Sequence, residues 1–497
     1  MENTWLLPLI VGSSLVPGVL IFFLREEQTV WRTSLNLFGA LLKVFLVGVV
    51  LVGYFRGEIY AFRYELGVGL ELYLRVDALA LLFATLSSIL WLVTTLYAIG
   101  YLEGTPYRRR FFGFFSLCVT ASTGIALAGN VVTFFIFYEF LTLATYPLVV
   151  HKGTEQALQA GRTYLCYTIG GGTVLFVGVV WLHVLVGAVD FGDTGRLASL
   201  VEDQGGQIFL LFWVLILGLG VKAALFPLHG WLPVAMVAPA PVSALLHAVA
   251  VVKAGVFGIF RVVYDVFGVQ MAEDLGVLLP LAVLAAITII YGSLRALAQD
   301  DLKRRLAYST VSQLSYITLG VASSSMLASV GALVHMVNQG VMKITLFFCA
   351  GIIIEVLGLL KVSQMAGIGR RLPLTMTAFT IGALGMIGLP PIAGFISKWY
   401  LGLGGLEAGH AWIIVILLTS SALNAAYFLP ILHTVWFETP EEKWVTKRRS
   451  RYFEAPWTLL FPALVTALIA VVLGLFAAGP YSILELSKAI AGGWYSR

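Results

Sequence analysis

Fourteen stretches of this sequence are each apolar over roughly the 20 residues that a helix needs to cross a bilayer. They lie near 5–24, 34–54, 77–100, 111–128, 131–150, 163–187, 207–226, 241–263, 276–294, 306–321, 327–354, 373–397, 410–433 and 458–479. The run at 306–321 is the weakest, being short and rich in Ser, Thr and Gln. The runs lack the alternation of a membrane barrel, so helices are the structure that satisfies their backbone in lipid. The predicted fold class is an all-α polytopic membrane protein of about fourteen transmembrane helices. Charged residues make up 11% of the chain, against about 25% in soluble domains. A soluble enzyme, a disordered scaffold and a nucleic-acid-binding domain are thereby excluded. The net charge of +5 does not point to nucleic acid, because the basic residues sit in the loops. Cys118, Cys166 and Cys349 stand far apart in apolar runs and suggest no disulfide, zinc or iron–sulfur site. The first run does not read as a cleaved signal peptide, since Glu2 precedes it and Arg25 follows.

Lys and Arg in the loops set orientation. The odd-numbered loops carry nineteen, including Arg25, Arg32, Arg108–Arg110, Lys152, Arg162, Arg295, Lys303–Arg305, Lys361, Arg370, Arg371 and the run from Lys443 through Arg451. The even-numbered loops carry five: Arg56, Arg63, Arg75, Arg196 and Arg261. Odd loops are therefore expected in the cytoplasm and both termini outside it.

Two spans are interrupted. The seventh runs from Gly218 through Lys222 to Pro227, His229, Trp231 and Pro233, with Pro239 and Pro241 beyond. The twelfth reads Leu384-Gly-Met-Ile-Gly388-Leu-Pro390-Pro391-Ile-Ala-Gly394-Phe-Ile-Ser-Lys398. Proline removes a helix hydrogen bond and clashes with the preceding turn. Paired Gly/Pro interruptions in corresponding halves of a transporter point to an ion or substrate site. Five spans separate the two breaks, and five is odd. A duplicated five-helix unit, spans 4–8 against spans 9–13, would therefore be inverted in the membrane. The expected division is residues 1–110 (three spans), 111–263 (first repeat), 264–435 (second repeat) and 436–497 (loop, last span and tail).

Ionisable groups inside a bilayer are functional candidates by default. Here they are Glu139, Lys222, His247, Lys253, His335, Lys343 and Lys398. A lysine desolvated by burial can release its proton near neutral pH, and a neighbouring carboxylate holds it charged. Glu139 and Lys222 are the natural pair for such a switch. Histidine titrates near neutrality unaided. Ser243, Asn338, Gln339 and Ser397 can hold water between the charges. Lys43 reads as a side chain snorkelling from near a helix end, and His183 and His433 as structural residues. Asp300 and Asp301 read as loop charges, and the acidic stretch 188–206 as a solvated loop. Gly170–Gly172 suits close helix packing. His229 has no second ligand at metal spacing, and no phosphate-binding loop is present. No metal or cofactor is expected.

These residues together resemble a known family, the antiporter-like subunits shared by Mrp-type cation/proton antiporters, respiratory complex I and membrane-bound hydrogenases. The most specific stretches are Tyr138-Glu139-Phe140, Lys222 through Pro241-Val-Ser-Ala-Leu-Leu-His247, and Gly388-Leu-Pro-Pro-Ile-Ala-Gly394-Phe. The resemblance implies fourteen helices with two inverted five-helix repeats. It implies that Glu139 and Lys222 pair in the first half, that Lys253 links to the centre, that His335 and Lys343 continue the relay, and that Lys398 ends it. Lysine at Lys398 disfavours the complex I branch that has glutamate there. The chain ends about 18 residues after its last span, which disfavours the larger branches, and its size resembles that of the D-type Mrp subunits. The function so implied is a proton-translocating subunit of a multisubunit Na⁺(K⁺)/H⁺ antiporter in a bacterial or archaeal cell membrane. Its implied partners are other membrane subunits, protons, Na⁺ or K⁺ and the lipid bilayer, without nucleic acid. The competing implication is a proton-pumping subunit of a redox complex, an NADH:quinone oxidoreductase or a membrane-bound hydrogenase.

Overall fold

The computed structural model describes residues 4–67, 69–439 and 454–496. Glu2 and the basic run Lys443 through Arg451 lie outside the described residues. Among the described residues, the fourteen apolar runs become fourteen spanning elements. These are α1 (Leu6–Phe23), α2 (Thr29–Phe55), α3 (Ala78–Tyr101), α4 (Arg108–Leu127), α5 (Val131–Val149), α6 (Glu155–Val186) and α7 (Val201–Lys222). They continue with α8 (Ala240–Phe267), α9 (Leu278–Leu297), α10 (Leu302–Val321), α11 (Met326–Leu357), α12a and α12b (Pro373–Ile387 and Gly394–Glu407), α13 (Trp412–Phe437) and α14 (Trp457–Leu475). Twelve of these are long and apolar enough to cross a membrane. The other two are α10, which is polar, and α12, which is split. A further helix, α15 (Ile483–Tyr495), follows the last span.

Helix starts are written locally. Asp77, Asn130, Thr154, Asp301, Ser325 and Ser482 each accept a hydrogen bond from a backbone N–H in the first turn, at 2.8–3.2 Å. Such caps satisfy donors that a helix leaves orphaned at its start.

Polarity sorts the helices by depth in the bundle. α8 and nearly all of α11 are buried, and α10 buries Ser309, Thr310, Ser312, Gln313, Ser315 and Thr318. A helix wrapped by protein on all sides needs no lipid-facing stripe, so it can carry polar and charged side chains. α1, α2 and α6 stand outside and expose Leu, Val, Phe and Trp. Breaks in α7 and α12 occupy equivalent places in successive five-helix units, α4–α8 and α9–α13, and each unit opens with a tightly packed pair, α4 with α5 and α9 with α10.

Beside the helices the described residues contain one small sheet. Strands β1 (Ala61–Gly67) and β2 (Leu70–Arg75) form an antiparallel hairpin between α2 and α3. Apolar and polar residues alternate through Phe62, Arg63, Tyr64 and Glu65, the period of a strand rather than of a span. Arg63 of this hairpin pairs with Glu71 at 2.7 Å and with Asp190. Asp193 pairs with Arg196 at 2.7 Å. The 188–206 segment is therefore tied to the hairpin through Asp190, and from Val201 it already belongs to α7, so it is not simply a solvated loop.

Candidate functional site

The break after α7 begins at Lys222 itself. Ala224 takes a left-handed backbone (φ 57°), and Phe226–Pro227 is a cis peptide. Polar groups freed by the break find partners. Trp231 Nε1 donates to the Val221 carbonyl at 2.7 Å, and the Phe226 N–H donates to Thr288 Oγ1 at 3.0 Å. Pro227 sits in the break and Pro233 in a short helix beyond it, Trp231–Val234. Pro239 and Pro241, expected to extend the break, instead open α8, one as its cap and the other in its first turn. Proline suits that position, because its missing N–H is one the helix could not use.

The break in α12 is built likewise. Gly388 ends α12a with φ 99°, and a Cβ there would meet Lys398 Cδ at 2.8 Å. Pro390–Pro391, also cis, occupies the gap. Lys398, in the second turn of α12b, reaches back across it. Its Nζ donates to the carbonyls of Met386 and Ile387 at 3.0 and 2.8 Å, and to Ser421 Oγ at 3.0 Å. A cation there meets the negative end of the α12a dipole. On the other side of the gap, the Ala393 N–H donates to Ala470 O, and Asn338 Nδ2 donates to Ala393 O at 2.8 Å.

The expected first pair is present. Lys222 Nζ lies 3.9 Å from Glu139 Oε1, 3.3 Å from the centre of the Tyr138 ring, and donates to the Tyr138 carbonyl. Lys222 is buried, while Glu139 remains partly exposed on α5. Glu139 Oε1 has no hydrogen-bond partner, so charge alone holds it to Lys222. Gly172 of α6 makes room for the carboxylate: a Cβ there would lie 2.4 Å from Oε1. Gly171 meets Val221 in the same way, as the glycine run suggested.

α8 packs its Gly255 against the backbone of Lys222 and Ala223. Two residues earlier, Lys253 Nζ donates to Met336 O at 2.7 Å and to Gln339 Oε1 at 2.5 Å, both on α11. Further along α11, His335 Nδ1 lies 2.8 Å from Ser397 Oγ of α12b, and its ring stacks on Tyr316. Lys253 with Gln339 and His335 with Ser397 are thus two bonded pairs that, with the part-buried Lys398, line one file from α8 through α11 to α12b. Gln339 Nε2 and His335 Nε2 are unpartnered among the described residues, so no direct bond joins the pairs. His247 and Lys343 have neighbours outside this file. His247 stacks on Phe347 with both ring nitrogens unpartnered. Lys343 Nζ donates to Ser309 Oγ and, at 3.2 Å, to Leu306 O. Ser243 bonds only to carbonyls of its own helix start, Ala238 and Pro239, and does not join the file.

Several residues depart from the sequence expectation. Lys303, a loop charge by its neighbours, is buried in the first turn of α10 and donates to Met236 O and Ala238 O at 2.7 and 2.6 Å. Arg261, counted among loop residues, is buried in a π-helical turn of α8. It pairs with Asp77 and Asp265, each at 2.7 Å. α8 is also broken at Val249–Ala250 without glycine or proline. Lys43 does not snorkel: it is fully buried midway along α2. The described residues hold no cluster of three or more metal-binding side chains.

This arrangement matches known proteins. The family described as "NADH:quinone oxidoreductase/Mrp antiporter, TM" matches residues 128–424. The chain is 38% identical over 423 residues to the N-type subunit of the NADH-quinone oxidoreductase of Desulforudis audaxviator, covering 82% of each. It is 27% identical to the D-type subunit of the Na(+)/H(+) antiporter of Bacillus subtilis, covering 96% of this chain and 94% of that one. A component of the archaeal membrane-bound sulfane sulfur reductase superimposes with a TM-score of 0.87 at 23% identity, covering 99% of both chains, so the fold is shared throughout.

Proposed function

Because the chain belongs to the family of membrane subunits shared by NADH:quinone oxidoreductases and Mrp antiporters, we propose that it is the proton-translocating subunit of a multisubunit Na⁺(K⁺)/H⁺ antiporter. It is a multi-pass integral membrane protein, and its relatives are subunits of larger membrane complexes. In this reading it performs no chemical transformation itself. Residues 111–263 and 264–435 are the two half-channels, the odd loops face the cytoplasm and both termini lie outside.

The observation that carries the reading is the buried file. A proton held on Lys222 is stabilised by Glu139, and loosening that 3.9 Å contact removes the charge that keeps the lysine protonated. The proton released inward can pass to Lys253. From there the Gln339 amide, bonded to Lys253, and the His335–Ser397 pair are the steps toward Lys398, with water closing the gaps between them. Hydroxyls and imidazole both donate and accept, which is what proton transfer along a file requires. The glycine-permitted contact at Gly172 leaves the Glu139 carboxylate free to move.

A second reading is favoured by the 38% identity to an NADH-quinone oxidoreductase subunit: the same file driven by electron transfer in partner subunits. Inverted vesicles holding the whole gene cluster separate the two. In the antiporter reading, added Na⁺ or K⁺ changes ΔpH without an electron donor, and Lys222→Ala and Glu139→Ala abolish the response. Proton pumping only on adding NADH or another reductant would move the chain to the redox reading. Unchanged transport in both variants would refute the relay.

A further inference from the structure

We propose that Lys43 is a separate protonation site, fed by its own polar file between α1, α2 and α4 and lying outside the Glu139–Lys398 relay. The inference rests on the proton-translocating function proposed above.

Lys43 is fully buried. Its Nζ donates to Ser14 Oγ on α1 at 2.6 Å and to Thr123 Oγ1 on α4 at 2.8 Å, and it faces the Trp91 ring of α3 at 5.2 Å. The described residues give it no ion pair. A structural lysine at this depth calls for a carboxylate, because an unpaired buried charge is expensive. Two hydroxyls serve differently. Each can accept from an ammonium or turn and donate to a neutral amine, so the site accommodates both protonation states without rearranging the helices.

Further polar groups line the way from Ser14 to the loops, with Thr120 Oγ1 reaching Ser116 at its backbone carbonyl, 3.0 Å away. Thr120 Oγ1 donates to Ser14 Oγ at 2.9 Å, and Ser116, one turn away on α4, donates to Asn36 Oδ1 at 3.2 Å. Asn36 in turn bonds the Arg32 carbonyl at 2.9 Å. Arg32 Nη1 lies 3.2 Å from Glu26 O and 3.9 Å from the Glu26 carboxylate, which is 37% exposed. Glu26 also accepts from the Arg109 N–H, placing the mouth where the first and third loops meet. Arg32 to Lys43 is eleven residues of helix, about 16 Å, or half of a hydrocarbon core about 30 Å thick. The charged groups around the file, Glu26, Arg32, Arg108 and Arg109, all gather at this mouth.

Past its inner end stands a further pair of hydroxyls. Ser122, next to Thr123, lies 3.4 Å from Ser87 of α3. α3 packs on the first half of α8 and on α11, the helices that carry His247 and Lys343. Its lining of hydroxyls, one amide and one amine suits protons and water. A metal cation would find no carboxylate ligand at Lys43 and a like charge in its place.

Vesicles containing the whole complex test this. Lys43→Met is expected to slow proton transport by about tenfold, since a positioned proton-transfer group typically contributes at least that much, with the complex still assembled. Lys43→His should restore transport with its pH profile moved toward acid, which a purely structural lysine would not do. Should Lys43→Met fail to assemble, Thr120→Val with Ser14→Ala keeps the lysine and cuts the file, and slower transport is again expected. Wild-type rates in Lys43→Met or in the double variant, or loss of transport without a moved pH profile in Lys43→His, would overturn the proposal. Lys222→Ala is assayed alongside. Loss there with wild-type rates in the Lys43 variants refutes this site alone, whereas no loss there refutes the relay itself.

Discussion

Lys222 Nζ stands 3.9 Å from Glu139 Oε1 while its hydrogen bond goes to the Tyr138 carbonyl and its charge rests on the Tyr138 ring. The lysine is therefore held by neutral groups and only biased by the carboxylate, as a switch requires. A permanent structural pair and a proton switch respond differently to arginine. Arginine remains charged under all conditions proteins meet. Lys222→Arg is expected to preserve assembly yet lose transport by about a hundredfold, the loss typical of removing a proton-transfer group. Near-normal ΔpH formation by this variant in inverted vesicles would show that Lys222 serves only as a fixed charge.

Gly172→Ala tests the freedom of Glu139. The added Cβ would meet Oε1 at 2.4 Å. The atom in its way is the far end of a flexible side chain, so the carboxylate shifts rather than the helix. Stability should fall by less than the roughly 1–3 kcal/mol that overpacking a rigid core costs, because the displaced atoms can move. Proton transport should fall by about tenfold, because a misplaced reacting group loses rate steeply. Equal loss of thermal stability and of transport would instead mean that the α5–α6 packing had given way.

The spans and both principal breaks are legible in the sequence because apolar length, glycine and proline are strong local signals. Other features depend on contacts that no local pattern carries. The break at Val249–Ala250 sits in an unbroken apolar run, beside Gly340 of α11, where a Cβ would lie 3.0 Å from the Ala248 carbonyl. Lys43 stands near the middle of the 34–54 run as well as of α2, and its burial comes from the packing of α1, α3 and α4 around it, which no local pattern shows. Lys303 resembles a loop residue, yet Asp301 caps α10 and draws Lys303 into the helix. Arg261 finds Asp77 from 184 residues away. The pairing of Glu139 with Lys222 is foreseeable from residue type, whereas the linking roles of Gln339 and Ser309 require the packing of α8, α10 and α11.

Ser397 fixes the His335 ring through a 2.8 Å contact at Nδ1, and Nε2 has no partner. Ser397→Ala leaves the imidazole with stacking on Tyr316 alone. Loss of one hydrogen bond should lower stability by about 1 kcal/mol. Transport should slow by about tenfold as the file between Lys253 and Lys398 loses its donor and acceptor. Ser397→Thr retains the hydroxyl and should restore the rate. Equal rates in wild type and Ser397→Ala would remove this serine from the path.

His151, in the loop after α5, supplies a pH dependence that is independent of transport. Burial, with Arg110 and Lys152 adding like charge, pushes its imidazole down to about 4. The ring packs edge-on against Phe111 with centroids 5.2 Å apart. In the folded protein it stays neutral where an unfolded chain, with an ordinary value near 6.5, takes up a proton. Its contribution is therefore fully present above pH 6.5 and is lost as the pH falls from there toward 4. Between pH 7.5 and 5 the loss should reach roughly 1–2 kcal/mol. Thermal melts of the purified complex should show an apparent Tm that drops over this interval, and His151→Phe, which keeps the ring contact without the titrating group, should flatten the drop. A Tm difference of the same size in His151→Phe would assign the acid sensitivity to other groups.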